Sequence, residues 1–342
     1  MNRGDTDGAA PTRAVRAAAP LIAFAALAGA CLLSLGVGAR PVPPLDVLRS
    51  LSAGPDGGEL AALAGARAQR TVIGLLAGAA LGGCGALVQG YTRNPLADPG
   101  ILGVNAGATF AVTMGAGFLG LRAPLQYVWL ALGGALTATL LVSLLGRSGR
   151  DGASPVRMTL TGVALGAVLS GLSSFIVLKN LDVFSALRFW DVGSLGGRSP
   201  EVVGTTAPFI AAGLLLAALA ARSLNALALG EELGTGLGAN PRLTRNVSVA
   251  GVTLLAGAAV ALAGPIGFVG LMVPHMVRRF TGPDQRRILA FAVLLAPVLL
   301  LLSDVLGRIA LPEGELPVGI VTAIAGAPVL VLLARRQGAG AL

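Results

Sequence analysis

No charged residue occurs from Val247 to Val277, a run of 31 residues, where roughly 20 already cross the hydrocarbon core of a bilayer. Gly264, Pro265, Gly267, Gly270 and Pro274 interrupt it. The run therefore reads as one crossing at 247–263 and a second, broken crossing at 265–280. Irregular backbone at membrane depth must be buried in protein or line a watery cavity. That makes Gly264, Pro265, Gly267 and Gly270 candidates for a translocation pathway. Eight further apolar runs, at 17–39, 71–88, 101–121, 123–145, 159–178, 202–221, 288–306 and 316–334, bring the expected total to ten. The fold class is an all-α polytopic membrane protein with about ten transmembrane helices in a single domain. Composition agrees: 54% of residues are hydrophobic and 12% charged, against about 25% charged in a soluble domain.

The net charge of +9 does not point to nucleic acid, because the basic residues lie in short clusters between apolar runs rather than along one face. They follow membrane topology instead. With both ends inside, cytoplasmic segments hold 16 of the 25 Lys and Arg residues and outer segments 9, the sign that the positive-inside rule requires. Residues 1–16 form a polar cytoplasmic N-terminus. The run at 17–39 is read as a retained first span, since a signal peptide has an apolar core of only about 7–15 residues. Arg67 and Arg70 close a polar connection ahead of the second span.

Several chemistries are excluded. Cys31 and Cys84 fall inside apolar runs and His275 is the only histidine, so neither a metal site, a disulfide scaffold nor a bound cofactor is expected. Lys179 is the only lysine and lacks a glycine five residues before it, so the chain has no P-loop. It is not an enzyme in its own right, and ATP-driven transport would need a separate ATPase. Ion-coupled carriers hold acidic relays in the membrane; here Asp304 is the exception, one turn from Arg308, which can pair with it. No paired His, Cys or carboxylate set suggests a membrane-embedded enzyme.

Gly74, Gly78, Gly82, Ala86 and Gly90 recur at every fourth position of the second span, a stripe that lets backbones approach closely. Gly162, Gly166, Ser170 and Ser174 repeat it in the fifth. The second span runs into Gln89–Gly103, where Asn94, Pro95, Leu96 and Pro99 join the pathway candidates because such turn residues forbid a continuous helix. The second and seventh spans both end in broken segments and would point in opposite directions, as in inverted repeats. Asn180 to Ser199, with Trp190, reads as interfacial. Residues 223–241 are too polar to span and too long for a turn. Leu224 with Leu227, and Leu233 with Leu237, fall at helical spacings, which predicts two short amphipathic helices broken at Gly230 and stopped by Asn240 and Pro241. Glu231 and Glu232 occupy the first turn of the second, where carboxylates favour the dipole. Flanking Arg222, Arg242 and Arg245 place the stretch inside, as a docking surface for a cytoplasmic motor.

Four stretches, GALVQGYTRNPLADPGILGVNAGA (85–108), LNALALGEEL with LG (224–238), AGPIGFVGLMVPHMVRRFTGPDQRR (263–287) and ELPVGIVTAIAGAP (315–328), resemble the FecCD family of ABC-transporter permeases. The resemblance implies import of an iron-siderophore, haem or cobalamin, with iron-siderophore preferred. It implies a type II importer fold in which two permeases, identical or not, sit on two cytoplasmic ABC ATPase subunits and receive substrate from an extracytoplasmic binding protein. The stretch from Leu224 to Gly238 is then the pair of coupling helices that engage the ATPase, with Gly230, Glu231 and Glu232 at its centre. Arg67, Arg70 and Arg308 match the positions that dock the binding protein. Gly234 and Gly236 depart from the family pattern and, at about 1 kcal/mol each in a helix, imply a shorter second coupling helix.

Overall fold

The computed structural model describes residues 13–38, 42–52, 58–146, 155–311 and 314–338, and all its longer regular elements are α-helices. In chain order these are α1 (Arg13–Gly36), α2 (Pro44–Ser52), α3 (Gly58–Thr92), α4 (Val104–Phe118), α5 (Pro124–Leu145), α6 (Pro155–Lys179) and α7 (Leu181–Asp191). They continue as α8 (Pro200–Ala228), α9 (Glu231–Gly236), α10 (Pro241–Ala263), α11 (Val269–Thr281), α12 (Gln285–Ile309) and α13 (Val318–Gly338). Among the described residues, seven helices are long and apolar enough to cross a membrane: those at 18–36, 58–92, 124–145, 157–179, 200–228, 241–263 and 285–309. Three expected crossings lie outside that set: α4 with 15 residues and α11 with 13, each following a broken segment that uses part of the depth, and α13, whose apolar stretch is Val318–Leu332. A single 3-10 turn, Pro99–Leu102, precedes α4, with the Asp98 carboxylate accepting from Gly100 N at 2.8 Å.

The centre of the fold is α3, which packs against α8, α10, α11 and α12. Its glycine stripe explains how so many neighbours fit. A Cβ on Gly78 would collide with the backbone of Pro297, one on Gly82 with the carbonyl of Ala292, and one on Gly85 with the carbonyl of Gly270. Backbones this close contribute dispersion contacts that longer side chains would prevent. Gln89 then donates to Leu271 O at 3.0 Å, so the end of α3 also satisfies backbone where α11 begins. The second stripe behaves differently. Gly162 is buried, but Gly166 meets only Ala106, at 3.8 Å, and Gly171 beside the stripe meets nothing within 4 Å, so α6 packs more loosely than α3.

The break between α10 and α11 is held open by unusual backbone. Gly264 has φ +79° and its Cα lies against the carbonyl of Trp190, where any Cβ would clash. Phe268 adopts φ +68° at the start of α11, a conformation costly for a bulky residue. Its side chain is pressed against Gly326 of α13.

Helix ends differ from the apolar runs in three places. Residues 58–70, read as a polar connection, form the first third of α3, with Glu59 in its first turn. Continuous helix from Pro200 to Ala228 means that Arg222 does not end the sixth span; the first expected coupling helix is the tail of α8. Asn240 caps α10 by accepting from Leu243 N at 3.1 Å, with Pro241 in the first turn, so that helix starts six residues before Val247.

Substituting Gly82 or Gly85 by Val should separate α3 from α12 or α11 and cost on the order of 1–3 kcal/mol as overpacking. Thermal unfolding of the detergent-solubilised protein should drop by several degrees, whereas Gly171→Ala should leave it unchanged or slightly raised.

Candidate functional site

Two polar clusters lie at opposite ends of α3 and α12. Asp304 is 19 residues beyond Gln285 on α12, about 29 Å along a helix, so the clusters stand one hydrocarbon thickness apart.

At the first end Asp304 is 1% exposed and takes both its oxygens into ion pairs. Oδ1 accepts from Arg70 Nε at 3.2 Å and Nη2 at 3.0 Å; Oδ2 accepts from Arg308 Nε at 2.9 Å and also from Nη2. The partly exposed Glu315 carboxylate holds Arg70 Nη2 from the other side at 2.7 Å, so two guanidiniums face two carboxylates. The remaining donors close the end of α1. Arg308 Nη1 donates to Ser34 O at 2.7 Å and Val37 O at 3.1 Å, and Arg67 Nη1 donates to Leu35 O at 2.9 Å and Gly36 O at 3.0 Å. A helix C-terminus leaves its last carbonyls without partners and carries partial negative charge; two arginines here supply both needs. Gly38 gives the room, since a Cβ there would sit 2.9 Å from Arg67 Nη2.

Arg67 and Arg308, expected where a binding protein docks, are 5% and 4% exposed, Arg67 committed to α1 carbonyls and Arg308 to α1 carbonyls and Asp304. Arg70 is the member of the three nearer the surface. Beside them opens a cavity of about 800 Å3 whose lining includes Glu59, Arg70, Leu195, Arg198, Arg308 and Glu315. Arg198, unmarked by sequence reasoning, belongs to the loop that follows Trp190, and Gln69 Nε2 donates to its carbonyl.

At the other end the chain turns at Gly230, with φ +114°, into the six-residue α9. Glu231 and Glu232 sit in its first turn, both exposed. Leu233 and Leu237 are 65% and 66% exposed, and Leu229 and Leu243 are similarly bare. Leu224 and Leu227, expected at the contact surface, are buried in the subunit's own core, and Leu229, which the spacing did not mark, is exposed beside Gly230. Gly238 has φ +85° and ends the turn. Behind the platform Glu231 lines a second cavity, of about 850 Å3, with Arg93, Arg242 and Arg245. Asn225, on the tail of α8, donates to Asp284 Oδ1 and accepts from Gln285 N, both at 2.7 Å, while Gln285 Nε2 donates to Ala86 O. Those bonds tie the platform to α12 and α3. The Asn225 amide and the first-turn backbone hold the Asp284 carboxyl below its usual range.

The pathway candidates do not gather in one place. Pro99 and Gly270 pack against each other beside Leu81. Asn94, exposed, accepts from Leu96 N at 2.9 Å, closing the turn that holds Pro95, and Leu96 rests on Leu271 and Met272. Gly264 is pressed on Trp190, Gly267 faces open space, and Pro265 lines a cavity of about 820 Å3. The hydroxyls of Thr109, Thr113, Ser170, Ser173 and Ser174 edge that cavity between α4, α6 and α7.

A bundle of apolar helices, locked by charge at one end and presenting bare leucines and glutamates at the other, is the architecture of a multi-pass membrane permease that works with other chains. Comparison with known proteins narrows the class. The FecCD transport family model matches residues 26–336. The chain is 46% identical to the ferric enterobactin transport system permease protein FepD of Escherichia coli (strain K12), covering 91% of this chain and 93% of that one. It is 40% identical to the Fe(3+)-citrate import system permease protein YfmD of Bacillus subtilis (strain 168), over 89% and 90% of the two. A solved inward-facing ABC transporter assigned to the metal-chelate type superposes with a TM-score of 0.77 at 26% identity, covering 92% of this chain and 99% of the other. The chain belongs to the FecCD transport family, as its motifs led us to expect, and is a multi-pass protein of the bacterial cell membrane.

Replacing Asp304 by Asn would leave Arg308 buried without its counter-charge, a change that costs about 3–5 kcal/mol. The variant should unfold at markedly lower temperature than wild type, while Asp46→Asn, which breaks only the exposed pair with Arg49 at 3.5 Å, should shift stability by less than about 1 kcal/mol.

Proposed function

We propose that this chain is the permease subunit of an ATP-driven importer that moves an iron chelate of siderophore type from a binding protein into the cytoplasm by alternating access. The observation that carries the proposal is near full-length identity of 46% to a ferric enterobactin permease. Two copies, or one copy and a related partner, enclose the path, and two ATPase subunits sit beneath them. Under this reading the subunit crosses ten times, with α4, α11 and α13 as the shorter crossings.

The Glu231 platform is the inner docking surface. Bare leucines rimmed by glutamates suit a partner that buries apolar area and supplies basic residues. Glu231, Glu232, Leu233 and Leu237 with Leu229 make the contact, Gly230 and Gly238 shape it, and Leu224 and Leu227 anchor it to the core. The Asp304 end is the outer face. Its surface around Arg70 and Glu315 receives the binding protein, with Arg67 and Arg308 as the buried support beneath. Along the path Pro265 and the hydroxyl-edged cavity of α4, α6 and α7 offer a polar wall; Asn94, Pro95, Leu96, Pro99, Gly264, Gly267 and Gly270 shape the breaks around it.

An ion-coupled carrier is disfavoured by the same ion pairs. Asp304, the carboxylate such a carrier would titrate, is already held between two arginines.

Chelate uptake by cells expressing the complete transporter should stop with vanadate and survive a proton uncoupler; the reverse pattern would overturn the reading. Glu231→Arg combined with Glu232→Arg should insert normally, lose the co-purifying ATPase and reduce uptake by more than tenfold. Full transport in that variant would remove the platform from the coupling role.

A further inference from the structure

The outer cavity holds four arginines, and three of them have their work assigned. Arg70 and Arg308 share Asp304, and Arg67 closes α1. Arg198 is different. Its Nε is buried without a hydrogen-bond partner among the described residues. Burial alone lowers its pKa to about 10, and no carboxylate stands near enough among those residues to restore it. Its position is nonetheless fixed by backbone. Gln69 of α3 holds the Arg198 carbonyl, Ser194 N donates to Ala263 O at 2.8 Å, and Gly196 lies against Arg70, where a Cβ would be 3.5 Å from Cζ. A guanidinium whose Nε is withdrawn from water without a partner is unfavourable, and such groups concentrate where a ligand completes them. The cavity beside it, about 800 Å3, has the size of a small-molecule site.

We propose that Arg198 is an anion-binding residue of the outer cavity, taking an anionic oxygen of an incoming Fe3+ chelate, of the catecholate or carboxylate class, as the chelate leaves the binding protein. This rests on the permease reading above. The chelate suits the site better than a side chain of the binding protein. Arg198 lines the concavity with its Nε buried, and a small ligand fills a cavity of this size where a side chain of a folded partner reaches only its mouth. The planar fork of arginine matches paired oxygens, and Asp304 keeps Arg70 and Arg308 from competing.

The test is equilibrium binding of a trianionic Fe3+ tris-catecholate to the permease with its ATPase in lipid nanodiscs, without binding protein. Wild type should bind. Arg198→Gln should weaken binding by about tenfold, the loss expected for one charge-assisted hydrogen bond, and Arg198→Lys should recover most of it. Affinity for the unloaded binding protein should be the same in all three. Unchanged chelate affinity in Arg198→Gln, no binding by wild type, or an equal loss of unloaded binding-protein affinity would each overturn the assignment. ATP-driven uptake by the wild type separates the two levels: uptake that proceeds with chelate binding indifferent to Arg198 refutes only this inference, and absence of any ATP-driven uptake refutes the permease reading itself.

Discussion

One buried carboxylate holds one end of the helix bundle together. Asp304 is 1% exposed, and desolvating a lone charge costs more than packing returns. Two guanidiniums offset that cost, and each is committed elsewhere as well, Arg308 to the last carbonyls of α1 and Arg70 to Glu315 ahead of α13. Three helices, α1, α3 and α12, and the segment ahead of α13 acquire a fixed register. Apolar contact alone specifies register poorly in a membrane, where lipid is as good a neighbour as leucine.

The opposite end is fastened through amide side chains instead. The Asn225 amide bridges the tail of α8 to the start of α12, and Gln285 reaches the carbonyl of Ala86 on α3. Between these two fastenings α3 and α12 run side by side, their backbones in contact at Gly78 and Gly82. A displacement applied to α9 therefore reaches α12 through short polar bonds rather than through flexible side chains. Structure and proposed function meet there: the platform that bears on a motor is wired to the helices that carry the outer face.

Much of this was legible in the sequence, and what was not has identifiable causes. The seven long helices were visible because apolar runs of such length have few alternatives. Breaks at Gly264 and Pro265 were visible because those residues cannot continue a helix. The stripe from Gly74 to Gly82 showed its packing role by period alone. Helix ends were harder: hydropathy marks where lipid stops, and α3, α8 and α10 continue as helices into water, so Arg70 and Arg222 ended a run without ending a helix. The resemblance marked Arg67 and Arg308 for docking, while their bonds to carbonyls of α1 stayed hidden, since nothing in sequence identifies which helix end a guanidinium will close. Leu224 is buried and Leu229 exposed because burial depends on which side of α8 meets α10, a tertiary fact. Arg198 escaped notice because its distinction is the partner it lacks.

The tightness of the α3 core also bears on where substrate can pass. At Gly85 and Gly82 a single methyl group would collide with a neighbouring backbone, so no route for a chelate runs through the middle of the subunit without dismantling its packing. The small residues of α6 lie differently, with open space at Gly171 and hydroxyls from Ser170, Ser173 and Ser174 edging a cavity. Those hydroxyls look onto α4 and α7 of the same subunit, so the loosely filled polar space lies between α4, α6 and α7. The same kind of small residue thus closes the structure along α3, where backbones touch, and leaves it open along α6, where they do not.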